Sequence, residues 1–347
     1  VAFIYRDGFD WYTTADIAKR WTGLGSTTQP SVGPSFSRAP SGQGISVPGG
    51  NSGGCYKSFG TNYTQGLVGI AFSGSGMANK ILVTILDGTT EQISIRVNAS
   101  NVLTVSRGAT LLATGTTVLS ASTWYYIELK FSIHASAGTV LMQVNGVTET
   151  LTYVTGTSTT QNTKSTANVQ WNGLWLTGPG NAIAPSVCWF DDLYVLDTST
   201  GTNTTFLGPV RVCPTYMVAA GSHTDWTANG GTNFGNVSEM YEDGDTSFNQ
   251  SSTANQIDSF VVQDLPAGSG SVFNVDVILV ARQSSGATRT IAPLLRIGGS
   301  DYAGTGVALS TSYQFLEQSY DLQPVGGTPA WDISTFNAME IGYKEVS

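Results

Sequence analysis

Charge is scarce in this chain. Asp, Glu, Lys and Arg make up 11% of its 347 residues, against the roughly 25% usual in soluble proteins. Fifteen basic residues face 24 acidic ones, for a net charge of −9. The basic residues are scattered, whereas a phosphate backbone requires clustered Lys and Arg, so no nucleic-acid partner is expected. No apolar run approaches the ~20 residues of a membrane-spanning helix, and no membrane insertion is expected. Only three cysteines occur, Cys55, Cys188 and Cys213. An odd number so widely spaced gives neither a disulfide framework nor a zinc spacing. Buried free thiols are the first reading; a Cys188–Cys213 bridge in an oxidising compartment is the second. Only two histidines occur, His134 and His223. Each lacks a metal partner at helical or hairpin spacing and a recognisable nucleophile motif. The opening Val1 to Arg6 has no long apolar core after a basic start, so it does not read as a secretion signal, and the chain is expected to begin at its first structural strand.

Polarity is carried by Thr, Ser, Asn and Gln, accompanied by 41 Gly. That mixture suits strands joined by tight turns, and the 40% of hydrophobic residues suffices for real cores. Strand patterns dominate. Ile93-Ser94-Ile95-Arg96-Val97 and Ile127-Glu128-Leu129-Lys130-Phe131 alternate apolar and polar residues, and Val140, Met142 and Val144 share a face. Asp87-Gly88 and Asn145-Gly146 lie between such runs and favour type I′ turns, which predicts hairpins over 80–97 and 139–151. One short helix is predicted over Thr14 to Trp21, with early acid, late bases, and Ile17 and Trp21 on one side. Residues 23–55 read as loop-heavy, with short strands near 44–48 and 54–59.

After Val195 the chain turns small and polar, as a linker does. Strand patterns resume at Val210-Arg211-Val212. They recur, after long loops over about 221–256, at 260–262, 273–280, 290–297, 313–318 and 339–343. No βαβ rhythm appears. The reading is all-β: two consecutive antiparallel β-sandwich domains, one over 1–200 and a smaller one over 206–347, joined by a linker at 201–205. Asn-x-Ser/Thr triplets begin at Asn62, Asn98, Asn203, Asn236 and Asn249, as expected by chance in so Ser/Thr-rich a chain.

Several segments resemble known proteins. Arg6-Asp7-Gly8-Phe9-Asp10-Trp11-Tyr12 is similar to the opening of many tailed-phage structural proteins. Trp124-Tyr125-Tyr126-Ile127-Glu128, followed by Val144-Asn145-Gly146, resembles concanavalin-like (laminin-G-like) jelly rolls. In that fold Phe190-Asp191-Asp192-Leu193-Tyr194-Val195 looks like the closing strand. Phe206 to Val212, Trp226-Thr227, Asp258-Ser259-Phe260, Leu295 to Gly299 and Trp331 resemble a companion region found after such jelly rolls. The resemblance implies a non-enzymatic phage virion structural protein on the particle exterior, at tail, fibre or capsid surface. Its partners would be other virion proteins and copies of itself, and its location the virion. The alternative is a glycan-binding adhesin for host-surface polysaccharide.

Glycosidases need two carboxylates flanking the bond, and the Glu-x-Asp-x-x-Glu spacing of the β-glucanase branch is missing: Glu128 stands alone on its strand and Glu149 lacks a partner. Asp191-Asp192 has two readings: part of a calcium site, which would need ~6–8 oxygen ligands, or a structural pair that braces a loop. Asp243 and Asp245, in Glu242-Asp243-Gly244-Asp245, divide in the same way between calcium loop and solvated turn. The tract Gly42 to Gly54 does not sit between a strand and a helix as a phosphate loop must, and no cofactor is expected. Trp11, Tyr12, Trp226 and Tyr241 lie near turns, where exposed aromatics could stack on sugars or on a protein partner.

Overall fold

The computed structural model describes residues 2–25, 29–48, 53–178, 187–199, 201–284 and 288–347. Of the Gly42 to Gly54 tract, residues 49–52 lie outside them. The chain divides into two compact units, Val1–Cys213 and Pro214–Ser347, and it is all-β.

The first unit stacks two eight-stranded antiparallel sheets. One runs Val147–Thr148, Val140–Val144, Tyr125–Ser132, Gln65–Gly74, Cys188–Leu196, Gly44–Val47 and Ser31–Gly33, with Phe3–Asp7 also paired to Cys188–Leu196. The other runs Thr152–Tyr153, Thr110–Val118, Val102–Arg107, Thr90–Val97, Lys80–Asp87, Trp171–Leu176, Cys55–Tyr63 and Gly23–Leu24. Period-two alternation decides which side chains enter the sandwich. Ile93, Ile95 and Val97 meet Ile127, Leu129 and Phe131 in one core, together with Val68, Ile70, Phe72, Phe190 and Trp171.

The first sheet is buried on its second face as well. Tyr126 and Tyr194 stack there at 6.4 Å and 22°. Glu128, fully buried, accepts from the Tyr194 hydroxyl and from the backbone N–H groups of Leu207 and Gly208 at 2.9 and 3.1 Å. The Tyr194 ring crosses Gly69: a Cβ there would lie 2.1 Å from Cε1 of the ring. Gly69→Ala is therefore expected to destabilise the first unit by about 1–3 kcal/mol through overpacking, read as a lowered urea midpoint with unchanged slope.

The second unit centres on a six-stranded sheet in the order Met217–Thr224, Ile257–Val262, Glu340–Glu345, Thr290–Ile297 and Ser300–Ala303, with Val307–Ala308 paired to Thr290–Ile297. Val262, Leu295 and Met339 pack with Val275 and Val277 of the two-stranded sheet Val275–Ala281/Gln314–Tyr320, and with Trp331 and Phe336. The Asp332 carboxylate caps the helix Ile333–Ala338 by accepting from Thr335 N at 2.8 Å, which satisfies one free N–H of the first turn.

The expected helix forms as a 3-10 turn, Thr14–Asp16, running into a one-turn α-helix, Ile17–Arg20. Other expectations need correction. The first hairpin turns at Gly88-Thr89, one residue beyond the predicted pair. No strand forms over residues 210–212: Val210 N donates to Gly208 O at 2.8 Å, while Val210 O and Val212 N bond to the side chains of Arg38 and Asp192. Cys213 is exposed, while Cys55 and Cys188 are buried; all three are free thiols.

Candidate functional site

Two places in the first unit gather polar chemistry. The first is the Asp191-Asp192 pair. The strand Cys188–Leu196 carries a bulge here, its register on Gln65–Gly74 slipping between Asp191 and Tyr194. Asp192 has a positive φ of 49°, which Asp tolerates better than most residues. The extra residue breaks the in/out alternation, and both carboxylates end up buried.

Asp191 Oδ2 accepts from Arg38 N at 2.8 Å, and Asp191 Oδ1 accepts from Asp192 N at 2.8 Å. Asp192 lies 2.8 Å from Arg38 Nη2 and 3.2 Å from Arg211 Nε, and it accepts from Val212 N at 2.8 Å. Asp10, brought alongside from the N-terminal segment, accepts from Gln43 N. Burial, reinforced by the Asp192 charge, pushes the Asp191 carboxyl up to about 8. Burial likewise pushes Asp10 up to about 6, and it raises Asp192 against the pull of Arg38 and Arg211. The oxygens of the pair thus face guanidinium and N–H donors. Among the described residues no three His, Cys, Asp or Glu side chains converge as metal ligands.

The second place is the outer face of the sheet that contains Trp171–Leu176. Leu174 and Leu176 enter the core, so Trp175 between them points away from it. Trp175 pairs in register with Tyr56 on one side and Thr84 on the other. The Tyr56 and Trp175 rings lie 5.3 Å apart at 35°, and both are half-buried. Trp175 Nε1 donates to Gly53 O at 3.2 Å, which fixes the indole. The row continues through Thr84 to Ser94 and Ser106. Beside it, Arg96 Nη2 donates to Glu91 Oε1 at 2.7 Å and to Gly108 O at 2.8 Å. Ser94 Oγ bridges the two, donating to Glu91 and accepting from Arg96 Nε, both at 2.7 Å. Ser94 and Thr84 are buried beneath this layer, while Glu91 and Arg96 are half-buried.

Of the four aromatics predicted as exposed platforms, one is buried. Tyr12 is buried, a correction forced by its hydroxyl, which donates to Asp7 Oδ2 at 2.9 Å and accepts from Trp21 Nε1 at 3.2 Å. Trp11 is half-buried, with the Arg20 guanidinium 5.3 Å from its ring. Trp226 packs edge-on to Tyr343 at 4.7 Å and donates through Nε1 to Gln256 O at 3.2 Å. Tyr241 is half-buried. Asp243 accepts from Ser247 Oγ at 2.9 Å, and Asp245 pairs with Arg282 at 2.8 Å.

Sequence reading missed the surroundings of His223. Its Nε2 lies 2.9 Å from Asp301 Oδ2 and 3.4 Å from Arg296 Nη1. The neighbouring Ser222 N and Ser259 Oγ donate to Glu340 Oε2 at 2.8 and 2.6 Å. These groups come from five separate strands, so no local spacing announces them.

Neither a protein-family model nor a curated protein sequence matches the chain. Solved structures do resemble it. The catalytic domain of a glycoside hydrolase family 131 protein from Coprinopsis cinerea is 16% identical, covering 60% of this chain and 99% of its own, at a TM-score of 0.36. A Bacillus subtilis protein of unknown function with a galectin-like fold is 13% identical, covering 57% and 96%, at 0.36. The alginate lyase Aly36B is 13% identical, covering 54% and 91%, at 0.34. The first unit is itself an antiparallel two-sheet β-sandwich, and the solved structures it resembles are concanavalin/galectin-like jelly rolls. The expectation of a non-enzymatic virion structural protein finds no support among these structures, which include glycoside hydrolases and a polysaccharide lyase, and it is withdrawn. The phage, tail and fibre assignments are withdrawn with it.

Proposed function

We propose that the first unit binds a carbohydrate chain on the outer face of its second sheet, at Tyr56 and Trp175. A pyranose ring presents a C–H face that packs on an aromatic ring, and hydroxyls that bond to guanidinium and carboxylate groups. Tyr56 and Trp175 supply the first kind of surface, on adjacent strands of a rigid sheet. Arg96 and Glu91 supply the second, held in one orientation by Ser94. The observation that carries the reading is the half-buried aromatic pair with its indole already fixed by Gly53 O. Preorganisation of this kind lowers the ordering cost of binding.

Affinity electrophoresis against a panel of neutral and acidic polysaccharides tests it. At least one polymer is expected to retard the wild-type chain, and Trp175→Ala to weaken that binding about tenfold, or ~1.4 kcal/mol. Assaying the same mixtures for new reducing or unsaturated chain ends shows whether the bound polymer is also cut. Absence of retardation by every polymer, or a Trp175→Ala variant that binds as the wild type does, removes the proposal.

A further inference from the structure

Trp175 and the Glu91–Arg96 ion pair belong to one sheet face. Trp175 lies opposite Thr84, and Thr84 opposite Ser94. Two strand spacings of ~4.8 Å each therefore separate the indole's strand from Ser94. The aromatic pair and the ion pair contact different parts of a bound chain.

The ion pair is closed on one side and open on the other. Glu91 Oε1 accepts from Ser94 Oγ and from Arg96 Nη2, both at 2.7 Å. Arg96 Nε donates to Ser94 Oγ, and Nη2 also donates to Gly108 O. Among the described residues, nothing bonds to Glu91 Oε2 or to Arg96 Nη1. The two side chains are 18% and 27% exposed. One acceptor and one donor are thus left for a ligand, on groups already locked together. The other cations of these strands are engaged elsewhere. Lys80 is buried, Lys57 Nζ donates to Arg20 O at 2.7 Å, and Arg107 reaches Lys164 O and Thr110 Oγ1 at 3.5 Å.

We infer that this face takes a neutral polysaccharide and rejects a uronate-bearing one, with Glu91 as the residue that makes the choice; this rests on the carbohydrate site proposed at Tyr56 and Trp175. A sugar hydroxyl both donates and accepts. Of two neighbouring hydroxyls, one donates to Glu91 Oε2 while the other accepts from Arg96 Nη1. A carboxylate has no proton to give Glu91. It meets an arginine whose charge Glu91 already balances, with a like charge alongside. Its hydration is then lost without a compensating cation. Specificity of this kind comes from the repulsive group as much as from the attractive one.

Titration calorimetry of the full chain against matched polymers tests the choice. The probes are soluble glucans, galactans and mannans, each paired with the same polymer partly oxidised at C6 to the uronate. The neutral polymer that binds best is expected to bind about tenfold more tightly than its oxidised partner, toward the lower end of what adjacent unit charges produce at a wetted surface. Glu91→Gln keeps an acceptor for Ser94 and Arg96 but removes the charge. It is expected to narrow the gap about tenfold by improving binding of the oxidised polymer. That improvement should vanish in roughly 1 M salt, where the Debye length is ~3 Å. Arg96→Gln, which leaves the Glu91 charge unbalanced, is expected to widen the gap. Wild-type binding of the oxidised polymer that equals or exceeds binding of the neutral one, or a gap that Glu91→Gln leaves unchanged, would overturn the choice assigned to Glu91 while the site itself stands. Absence of binding by every polymer, or a Trp175→Ala variant that binds as the wild type does, removes the site and this inference with it.

Discussion

Asp258→Ala is expected to cost the second unit about 3–5 kcal/mol, because it leaves several buried donors without an acceptor. Asp258 is fully buried on the strand Ile257–Val262. Its Oδ1 accepts from Trp226 N at 2.9 Å, and its Oδ2 from Asn233 Nδ2 at 2.6 Å and Tyr343 OH at 3.3 Å. One carboxylate thus anchors two loop positions and a neighbouring strand. Alanine would leave three donors facing a void, each unsatisfied group costing about 1–3 kcal/mol before relaxation. Trp226, which rests on the Tyr343 ring, would lose its backbone tether at the same time.

Burial raises the Asp258 carboxyl, so part of its interaction energy already offsets desolvation, and this keeps the expected loss below the sum of three bonds. Asp258→Asn keeps one acceptor but turns an NH2 toward existing donors, and it should lose less. Calorimetry on the full chain measures the effect, and hydrogen exchange localises it: amides of 226–236 should lose protection first. A loss under about 1 kcal/mol would place Asp258 among ordinary surface-like substitutions and remove its role as the hub.

Strands were legible in this sequence wherever alternation is local. Ile93 to Val97 and Ile127 to Phe131 fell on strands with the predicted residues in the core. Thr290–Ile297 matched at both ends. Asn145 and Gly146 both take positive φ, 52° and 77°, as the type I′ turn demands. What could not be read were partners distant in the chain. Leu207 N and Gly208 N bond to Glu128 from 79 and 80 residues away, and nothing in Val210-Arg211-Val212 distinguishes a strand from an extended segment held largely by side chains. Tyr12 looked exposed because it lies between turns, but a buried acceptor, Asp7, waits for its hydroxyl. Glu128 looked like an unpartnered acid on a solvated face because the sequence does not show that this sheet is covered on both sides. The candidate carbohydrate site turns on Trp175. Its outward direction follows from Leu174 and Leu176 pointing inward, a distinction that a run of consecutive apolar residues conceals.

Asp191 and Asp192, adjacent in sequence, are expected to respond to substitution with opposite signs. Asp192→Ala should cost the first unit about 3–5 kcal/mol, because it strands the Arg38 and Arg211 charges. A further ~1–2 kcal/mol is expected from placing alanine at φ 49°. Asp192→Asn tolerates that backbone and isolates the charge effect, so it should fall between alanine and wild type.

Asp191→Asn removes a charge that the fold already penalises. Its carboxyl is raised to about 8 by burial and by Asp192, so the native state binds its proton more tightly than the unfolded chain does. Stability from this group is present in acid and is lost as pH climbs through about 8. At pH 9 the asparagine variant is therefore expected to equal or exceed the wild type. At pH 5, where the acid is already protonated, it should show no advantage. Urea unfolding of the first unit at the two pH values, with equal slopes required of both proteins, gives the comparison. Similar losses for both aspartates at pH 9 would mean that the carboxylates are equivalent, and that the bulge does not divide them into one that pairs with arginine and one that holds a proton.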